Sequence, residues 1–328
     1  GLLGGFFFQN LFVFDQLSSY ILFFGTLGYI HFLSQETVPD TKKLTSKPFS
    51  GAEASGALLI VILLVFLLYF VNFKPYLENI TLLQAMAEAG KGNIPESHNL
   101  FLKTLSYGTL GDREAREQFL HLASQIANHE GSPQNLREAI LRDAVSEMKV
   151  QIASSPDDAR YHLFLGAVYN IVGNNIEARQ ALGNALALSP KKQHIFFELA
   201  QTYLRSGDFQ KAFELMQEAL NLEPKYPFAQ VNFVVTAILA GREDLAEEVV
   251  SKMRSVGILG QEEISRIINA YAARKKFEKV RELYLELIKL EPKNIQHRVA
   301  LAATYLELGR SQDAVLELEK AIEIDPNF

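Results

Sequence analysis

Side chains that could carry chemistry are sparse in this 328-residue chain and nowhere form a catalytic pattern. Its histidines form neither an HExxH pair nor any other cluster with metal-ligand spacing. Phosphate-binding glycine loops, the Gly-x-Ser-x-Gly nucleophile elbow and cysteine are all missing from the sequence. Paired acids such as Glu247–Glu248 are typical of solvated polar helix faces. The residues alone therefore indicate no catalytic residue, no metal site and no cofactor.

One polar group stands out because of its surroundings. The stretch FFFQNLFVFDQLSSYILFF, residues 6–24, places Gln9, Asn10 and Asp15 among phenylalanine and leucine. In a bilayer each of these groups costs several kcal/mol unless it has a partner or lies at the rim. Asp15 suits the N-cap of a helix that begins near residue 16, whereas Gln9 and Asn10 must face other helices or a wet cavity. The functional alternative is a polar membrane pocket bordered by Asn10 and Asp15.

The first quarter of the chain has the composition of a membrane region. Only seven of the 70 charged residues precede Lys74, and twelve of the 23 phenylalanines do. Residues 16–35 and 54–73 each run for 20 positions without a charge, which is about the length that crosses a hydrocarbon core of roughly 30 Å. Residues 1–14 resemble the end of a further span. We therefore expect a multi-pass membrane region over 1–73, belonging to the C-terminal piece of a larger membrane protein.

The rest of the chain follows a period of 34 residues. Proline recurs at 156, 190, 224, 292 and 326, and glycine at 173, 207, 241 and 309. Alanine recurs at 178, 212, 246 and 314, and tyrosine at 169, 203, 271 and 305. Two amphipathic helices in each 34-residue unit are typical of tetratricopeptide repeats. We expect an all-α fold with a right-handed α-solenoid over 125–328, a degenerate helical connector over 74–124, and the four tyrosines buried.

The repeat pattern also predicts a binding surface. In such arrays the first helix of each unit lines the concave face through its positions 2, 5, 9, 12 and 13. Counted from Ala159, Gln193, Gln261 and Ile295, the residues at these positions are Arg160, Asn170, His194, Phe197, Gln201, Arg205, Glu262, Asn269, Gln296 and Glu307. This mixed surface suits an extended peptide or a polar chain rather than an apolar ligand. The alternative is an unused, solvated face.

Three segments carry a resemblance to a known family: QNLFVFD at 9–15, KPYLENITLLQAM at 74–86 and SPDDARYHLFLGAVYN at 155–170. The chain resembles the C-terminal part of bacterial O-antigen ligase/polymerase glycosyltransferases that carry a tetratricopeptide tail. The resemblance implies transfer of a glycan from a lipid diphosphate carrier. The family's Arg- and His-bearing loop would lie upstream of Gly1, so no catalytic residue is carried over. Asn10 and Asp15 match late polar positions of the family.

A second hypothesis is a membrane-anchored tetratricopeptide scaffold without chemistry of its own that assembles envelope proteins. Expected partners are membrane lipid, a protein or glycan acceptor in the repeat groove, and a lipid-diphosphate-linked glycan through the upstream region. The net charge of -6 gives no nucleic-acid footprint. Lys42, Lys43 and Lys47 place the loop 34–55 in the cytoplasm, since cytoplasmic loops are enriched in Lys and Arg. The repeats then lie outside the bacterial inner membrane.

Overall fold

The computed structural model describes residues 17–36, 51–127 and 131–326, and every regular element within these ranges is helical. The chain divides into two compact units, Gly1–Leu67 and Leu68–Phe328. The helices in chain order are α1 (Leu17–Glu36), α2 (Gly51–Leu67), α3 (Lys74–Gly90), α4 (Ile94–Ser106), α5 (Asp112–Ile126), α6 (Gln134–Ser154), α7 (Ala159–Ile171), α8 (Asn175–Leu188), α9 (Gln193–Arg205), α10 (Phe209–Leu222), α11 (Pro227–Leu239), α12 (Glu243–Ser255), α13 (Gln261–Ala273), α14 (Phe277–Leu290), α15 (Ile295–Glu307) and α16 (Ser311–Ile324).

Apolar helix dominates the start of the chain. Among the described residues one helix is long and apolar enough to cross a membrane, the 37-residue stretch Ala54–Gly90, and its apolar part is unburied. It runs through α2, a π-helical segment at Leu68–Phe73 and α3, and it contains the predicted span 54–73. The predicted span 16–35 is helical as α1, but by the same measure it is not a second such helix.

The second unit consists of seven antiparallel helix pairs, α3/α4 through α15/α16, in which each helix packs against its successor. From α7 onward the first helices of the pairs begin at Ala159, Gln193, Pro227, Gln261 and Ile295, each 34 residues after the last. The predicted register is therefore confirmed, including the unit at 227–260, which lacks the repeat tyrosine and proline. α6 is the second helix of the degenerate upstream unit that the sequence predicts.

Small buried residues explain how closely the two helices of a pair approach. The alanines of the 34-residue ruler, Ala178, Ala212, Ala246 and Ala314, are 0 or 1% exposed. Val280 occupies the same position in the one remaining regular unit and is also buried. At Gly166 of α7 the approach is closest, because a Cβ placed there would lie 2.5 Å from Cγ of Leu182. These positions leave no room for a larger side chain without a shift of the helices.

The turn between the helices of a pair requires a left-handed residue. Gly173, Gly207, Gly241 and Gly309 have φ between 72 and 78°. In the unit that begins at Gln261 this position is Lys275, which adopts φ 57° without a glycine. Such a conformation costs an L-residue about 1–2 kcal/mol, so the surrounding repeat geometry, rather than the residue, fixes the turn.

The four ruler tyrosines divide into two groups. Tyr169 and Tyr271 are buried as predicted, and burial raises the pKa of Tyr271 to about 12. Tyr203 and Tyr305 are only half-buried, so the prediction was wrong for these two. Their rings are covered by guanidinium groups, since Arg179 lies 5.6 Å from the centroid of Tyr203 and Arg310 lies 4.8 Å from that of Tyr305. The long basic side chains thus replace part of the apolar contact.

We predict opposite effects for two glycine-to-alanine changes in one helix pair. Gly166→Ala should lower the free energy of unfolding by about 1–3 kcal/mol, because the added methyl overpacks against Leu182. Gly183→Ala on α8 meets open space and should raise it by about 0.5–1 kcal/mol through helix propensity. Urea unfolding of both variants in one detergent measures the difference. Equal stabilities would contradict the close approach of α7 and α8.

Candidate partner-binding groove

The first helices α9, α11 and α13 line one cavity of about 310 Å³, which we call the groove. Because these helices lie 34 residues apart, equivalent side chains of successive units follow one another along it. The groove is lined by His194, Phe197, Glu198, Ala200, Gln201, Leu204, Met216, Phe228, Asn232, Val235, Thr236 and Arg266.

Three rings form an aromatic cluster at the groove. The ring of Phe197 meets that of Phe228 edge to face, with 4.9 Å between centroids. Tyr226, which precedes α11, lies 6.3 Å from Phe197 and 6.0 Å from Phe228. Tyr226 and Phe228 keep 42% and 44% of their surface exposed. Rings that are packed against one another yet exposed offer apolar area at a low entropic cost.

Charged groups lie at the two sides of the groove. On the α13 side the guanidinium of Arg266 lies 5.6 Å from the centroid of Phe228, and its Nη2 donates a 2.6 Å hydrogen bond to Oδ1 of Asn232. On the α9 side Oε2 of Glu198 accepts a 3.1 Å hydrogen bond from Nδ2 of Asn170. The groove is therefore apolar at its centre, cationic on one side and anionic on the other.

The predicted groove residues fall into three groups. His194, Phe197 and Gln201 line the groove together. Arg205 lies beside it on α9 and is exposed, with a hydrogen bond to the backbone oxygen of Asn170. Arg160 and Asn269 are exposed on α7 and α13, and neither lines the groove.

Arg160 has a local role in the first turn of α7. Its guanidinium lies 2.8 Å from the carboxylate of Asp158, which also caps the helix through the backbone N–H of Arg160. The side-chain hydrogen bond from this guanidinium lowers the pKa of the Asp158 carboxyl. Most of the charge of Arg160 is thus directed at its own N-cap.

Asn170 is buried rather than exposed toward a ligand. Its Nδ2 donates to the backbone oxygen of Glu198 at 3.0 Å, and its Oδ1 accepts a 2.6 Å hydrogen bond from Oγ1 of Thr202. These bonds join α7 to α9. The side chain holds two neighbouring first helices in place and only indirectly shapes the groove through Glu198.

Sequence reasoning missed Phe228, Asn232 and Arg266. Phe228 is position 2 of the unit that begins at Pro227, and the same counting would have found it had the degenerate unit been included. Asn232 and Arg266 share position 6, which was not among the positions counted. Their 34-residue separation was visible in the sequence, but their hydrogen bond depends on how tightly α11 and α13 pack.

A second cavity of about 420 Å³ lies between the earlier first helices α5 and α7. It is lined by Glu117, Gln118, Leu120, His121, Ser124, Phe164, Ala167, Val168 and Ile171. Burial raises the pKa of the Glu117 carboxyl. This cavity is less varied than the groove, since it has one aromatic ring and no cation.

Two further predictions concern sites of other kinds. Asn10 and Asp15, the predicted membrane pocket, lie outside the described residues. Within the part of the chain that the structure describes, no group of three or more His, Asp or Glu side chains could hold a metal ion.

Comparison with known proteins identifies the repeats. Models of the tetratricopeptide repeat match residues 194–226 and 283–315. A tetratricopeptide repeat protein from Parabacteroides merdae is similar over 76% of this chain and 93% of its own, at 12% identity with a TM-score of 0.53. Similar at lower scores are PilF of Pseudomonas aeruginosa (15% identity, 69% and 97% covered, TM-score 0.46) and YrrB, described as having an unusual peptide-binding site (14%, 55% and 92%, 0.41). The chain contains tetratricopeptide repeats in an all-α solenoid.

We predict that Asn170 contributes to stability. Asn170→Ala should lower the free energy of unfolding by about 1–3 kcal/mol, because Thr202 and the backbone of Glu198 lose a buried partner. The matched control is Asn269→Ala on exposed α13 surface, which should stay within about 0.5 kcal/mol of wild type. Both are measured by urea unfolding followed by circular dichroism. A stable Asn170→Ala variant would show that this contact between α7 and α9 contributes nothing.

Proposed function

We propose that the protein is a membrane-anchored adaptor whose groove binds an extended segment of a partner protein. The observation that carries this proposal is the aromatic cluster, whose rings remain exposed within a cavity lined by three successive first helices. Tetratricopeptide repeats mediate protein–protein interactions, and a peptide backbone in extended form fits a groove that offers both apolar area and side-chain hydrogen bonds. A glycan acceptor is the alternative occupant of the same groove, because stacked rings and amides also bind sugars.

The anchoring part of the proposal is supported by the helix Ala54–Gly90. Its apolar residues from Leu58 to Phe73 expose between 45 and 67% of their surface, which a bilayer would cover. Lys74 follows directly, and its ammonium lies 5.7 Å from the ring centroid of Phe70. Basic and aromatic residues at the end of an apolar helix are typical of a membrane interface. We further propose that the repeats face the extracytoplasmic side of a bacterial inner membrane.

We also propose a parent activity on the strength of the resemblance at residues 9–15, 74–86 and 155–170. The chain would form the C-terminal portion of an O-antigen ligase/polymerase-like glycosyltransferase, which acts on lipid-diphosphate-linked glycans through residues upstream of Gly1. In that arrangement a polar membrane pocket with Asn10 and Asp15 would border the active site. Tethering would raise the local concentration of an acceptor held by the repeats. The competing proposal is a scaffold without catalysis, and purified 1–328 should transfer no glycan under either.

A photo-crosslinking experiment tests groove binding in cells. Gln201 lines the groove on α9, and Gln217 is exposed on α10 of the same helix pair. With benzoylphenylalanine at position 201, we expect an adduct with one identifiable protein. The matched substitution at position 217 should give none, because the second helix lies outside the groove. Adducts of equal yield at both positions, or at 217 alone, would contradict binding in the groove.

The absence of cysteine permits a matched test of topology. In intact cells Ser206→Cys should react with an impermeant maleimide, because we place the repeats outside. Ser46→Cys, in the lysine-bearing loop, should react only after the membrane is permeabilised. The opposite labelling pattern would invert the proposed orientation. Labelling of neither residue even in permeabilised cells in urea would indicate a failed reaction, so that condition serves as the reagent control.

A further inference from the structure

We propose that the groove selects a segment in which an acidic side chain lies one or two positions from a large apolar one, with the carboxylate bound by Arg266. This inference rests on the proposed function, namely that the groove holds an extended segment. It adds the chemistry of that segment and the direction in which it lies.

The first observation is the state of Arg266. Its side chain is half-buried on α13, and it forms no ion pair with any residue in the ranges that the structure describes. Nearby arginines of the second helices differ, because Arg254 lies 2.8 Å from a carboxylate oxygen of Glu286 and Arg281 lies 2.9 Å from that of Glu278. A half-buried guanidinium that lacks a carboxylate is a site where an incoming anion gains a charge-assisted hydrogen bond.

The second observation is the geometry that holds this guanidinium. Nη2 donates to Oδ1 of Asn232 at 2.6 Å, and the guanidinium carbon lies 5.6 Å from the centroid of Phe228. One of its five N–H donors is thus used, and the planar group is fixed before a ligand arrives. The remaining donors can form the paired hydrogen bonds that a carboxylate accepts. A single guanidinium also matches the single charge of an Asp or Glu side chain.

The spacing of the ligand follows from the same contact. An apolar side chain that packs on the aromatic cluster must touch Phe197 or Phe228, and Arg266 lies directly beside the latter. In an extended peptide, side chains two positions apart share a face and are separated by about 7 Å. The acidic residue must therefore be adjacent to the apolar residue or two positions from it, since a longer interval would carry the carboxylate past Arg266.

The opposite side of the groove sets the direction of the segment. The carboxylate of Glu198 lies on the α9 side, where it accepts a hydrogen bond from Asn170 and forms no ion pair among the described residues. It repels an acidic side chain and favours a basic or N–H-bearing group. His194 and Gln201 also line this side and can accept or donate hydrogen bonds. The acidic end of the segment therefore points toward α13.

The experiment begins with selection of a random dodecapeptide phage library on the full chain in detergent. Binding is then measured by fluorescence polarisation with the best labelled peptide and with its Asp-to-Asn and Asp-to-Lys versions. We expect enrichment of Asp or Glu within two positions of Phe, Leu, Ile or Tyr. Replacement of the acid by Asn should weaken binding about tenfold, because a charge-assisted pair is lost.

Charge exchange at Arg266 provides the decisive comparison. Arg266→Glu should weaken the Asp peptide at least about tenfold and should bind the Lys version more tightly than the Asp version. Arg242→Glu makes the same charge change outside the groove and should leave the preference unaltered. Glu198→Gln should preserve or strengthen binding of the Asp peptide. If Arg266→Glu and Arg242→Glu have equal effects, the carboxylate site is wrong.

The two levels of the proposal fail in different ways. If selected peptides lose affinity in the Phe228→Ala variant but show no acidic preference, groove binding stands and the carboxylate site is overturned. If no peptide is enriched, or if Phe228→Ala binds as wild type does, the proposed function of the groove fails first. Circular dichroism of each variant confirms that the repeats remain folded, so a loss of affinity is not a loss of structure.

Discussion

The closest contact between the two helices of each pair is the constraint on which the second unit depends. Ala178, Ala212 and Ala246 are each 0% exposed, and such small side chains let the helix axes approach to the lower end of the usual 8–10 Å range. Because the contact recurs every 34 residues, each pair stacks on the last in the same orientation. A larger side chain at one of these positions would change the angle of one pair and misplace every pair beyond it.

The groove is a consequence of that stacking. Asn232 and Arg266 have the same position in successive units, and only an unchanged repeat geometry brings them within 2.6 Å. The unit at 227–260 has lost its ruler tyrosine and proline, yet it supplies Phe228 to the aromatic cluster. The degenerate unit has thus kept the residues that set the spacing while its groove-facing positions became more apolar. Loss of the consensus and gain of a binding surface occur in the same helix, α11.

The sequence predicted the features that depend on spacing, and it missed those that depend on contacts between units. The period, the buried alanines and the glycine turns follow from local geometry. Asn170 was predicted to face a ligand because its position in α7 usually does, but α9 covers it. Arg266 was overlooked because its importance lies in lacking a carboxylate partner, which only the packing of α11 and α13 reveals. Lys275 shows the converse, since the fold imposes a turn that its sequence does not favour.

The most direct measurement is hydrogen–deuterium exchange of the full chain in detergent, with and without a saturating groove-binding peptide. Bound ligand lowers the frequency of local opening in the helices that contact it. If stacked first helices form the binding surface, amide exchange should slow in α9, α11 and α13 and stay unchanged in α10, α12 and α14. Protection confined to the second helices, or to α5 and α7, would contradict the assignment of the groove as the binding site.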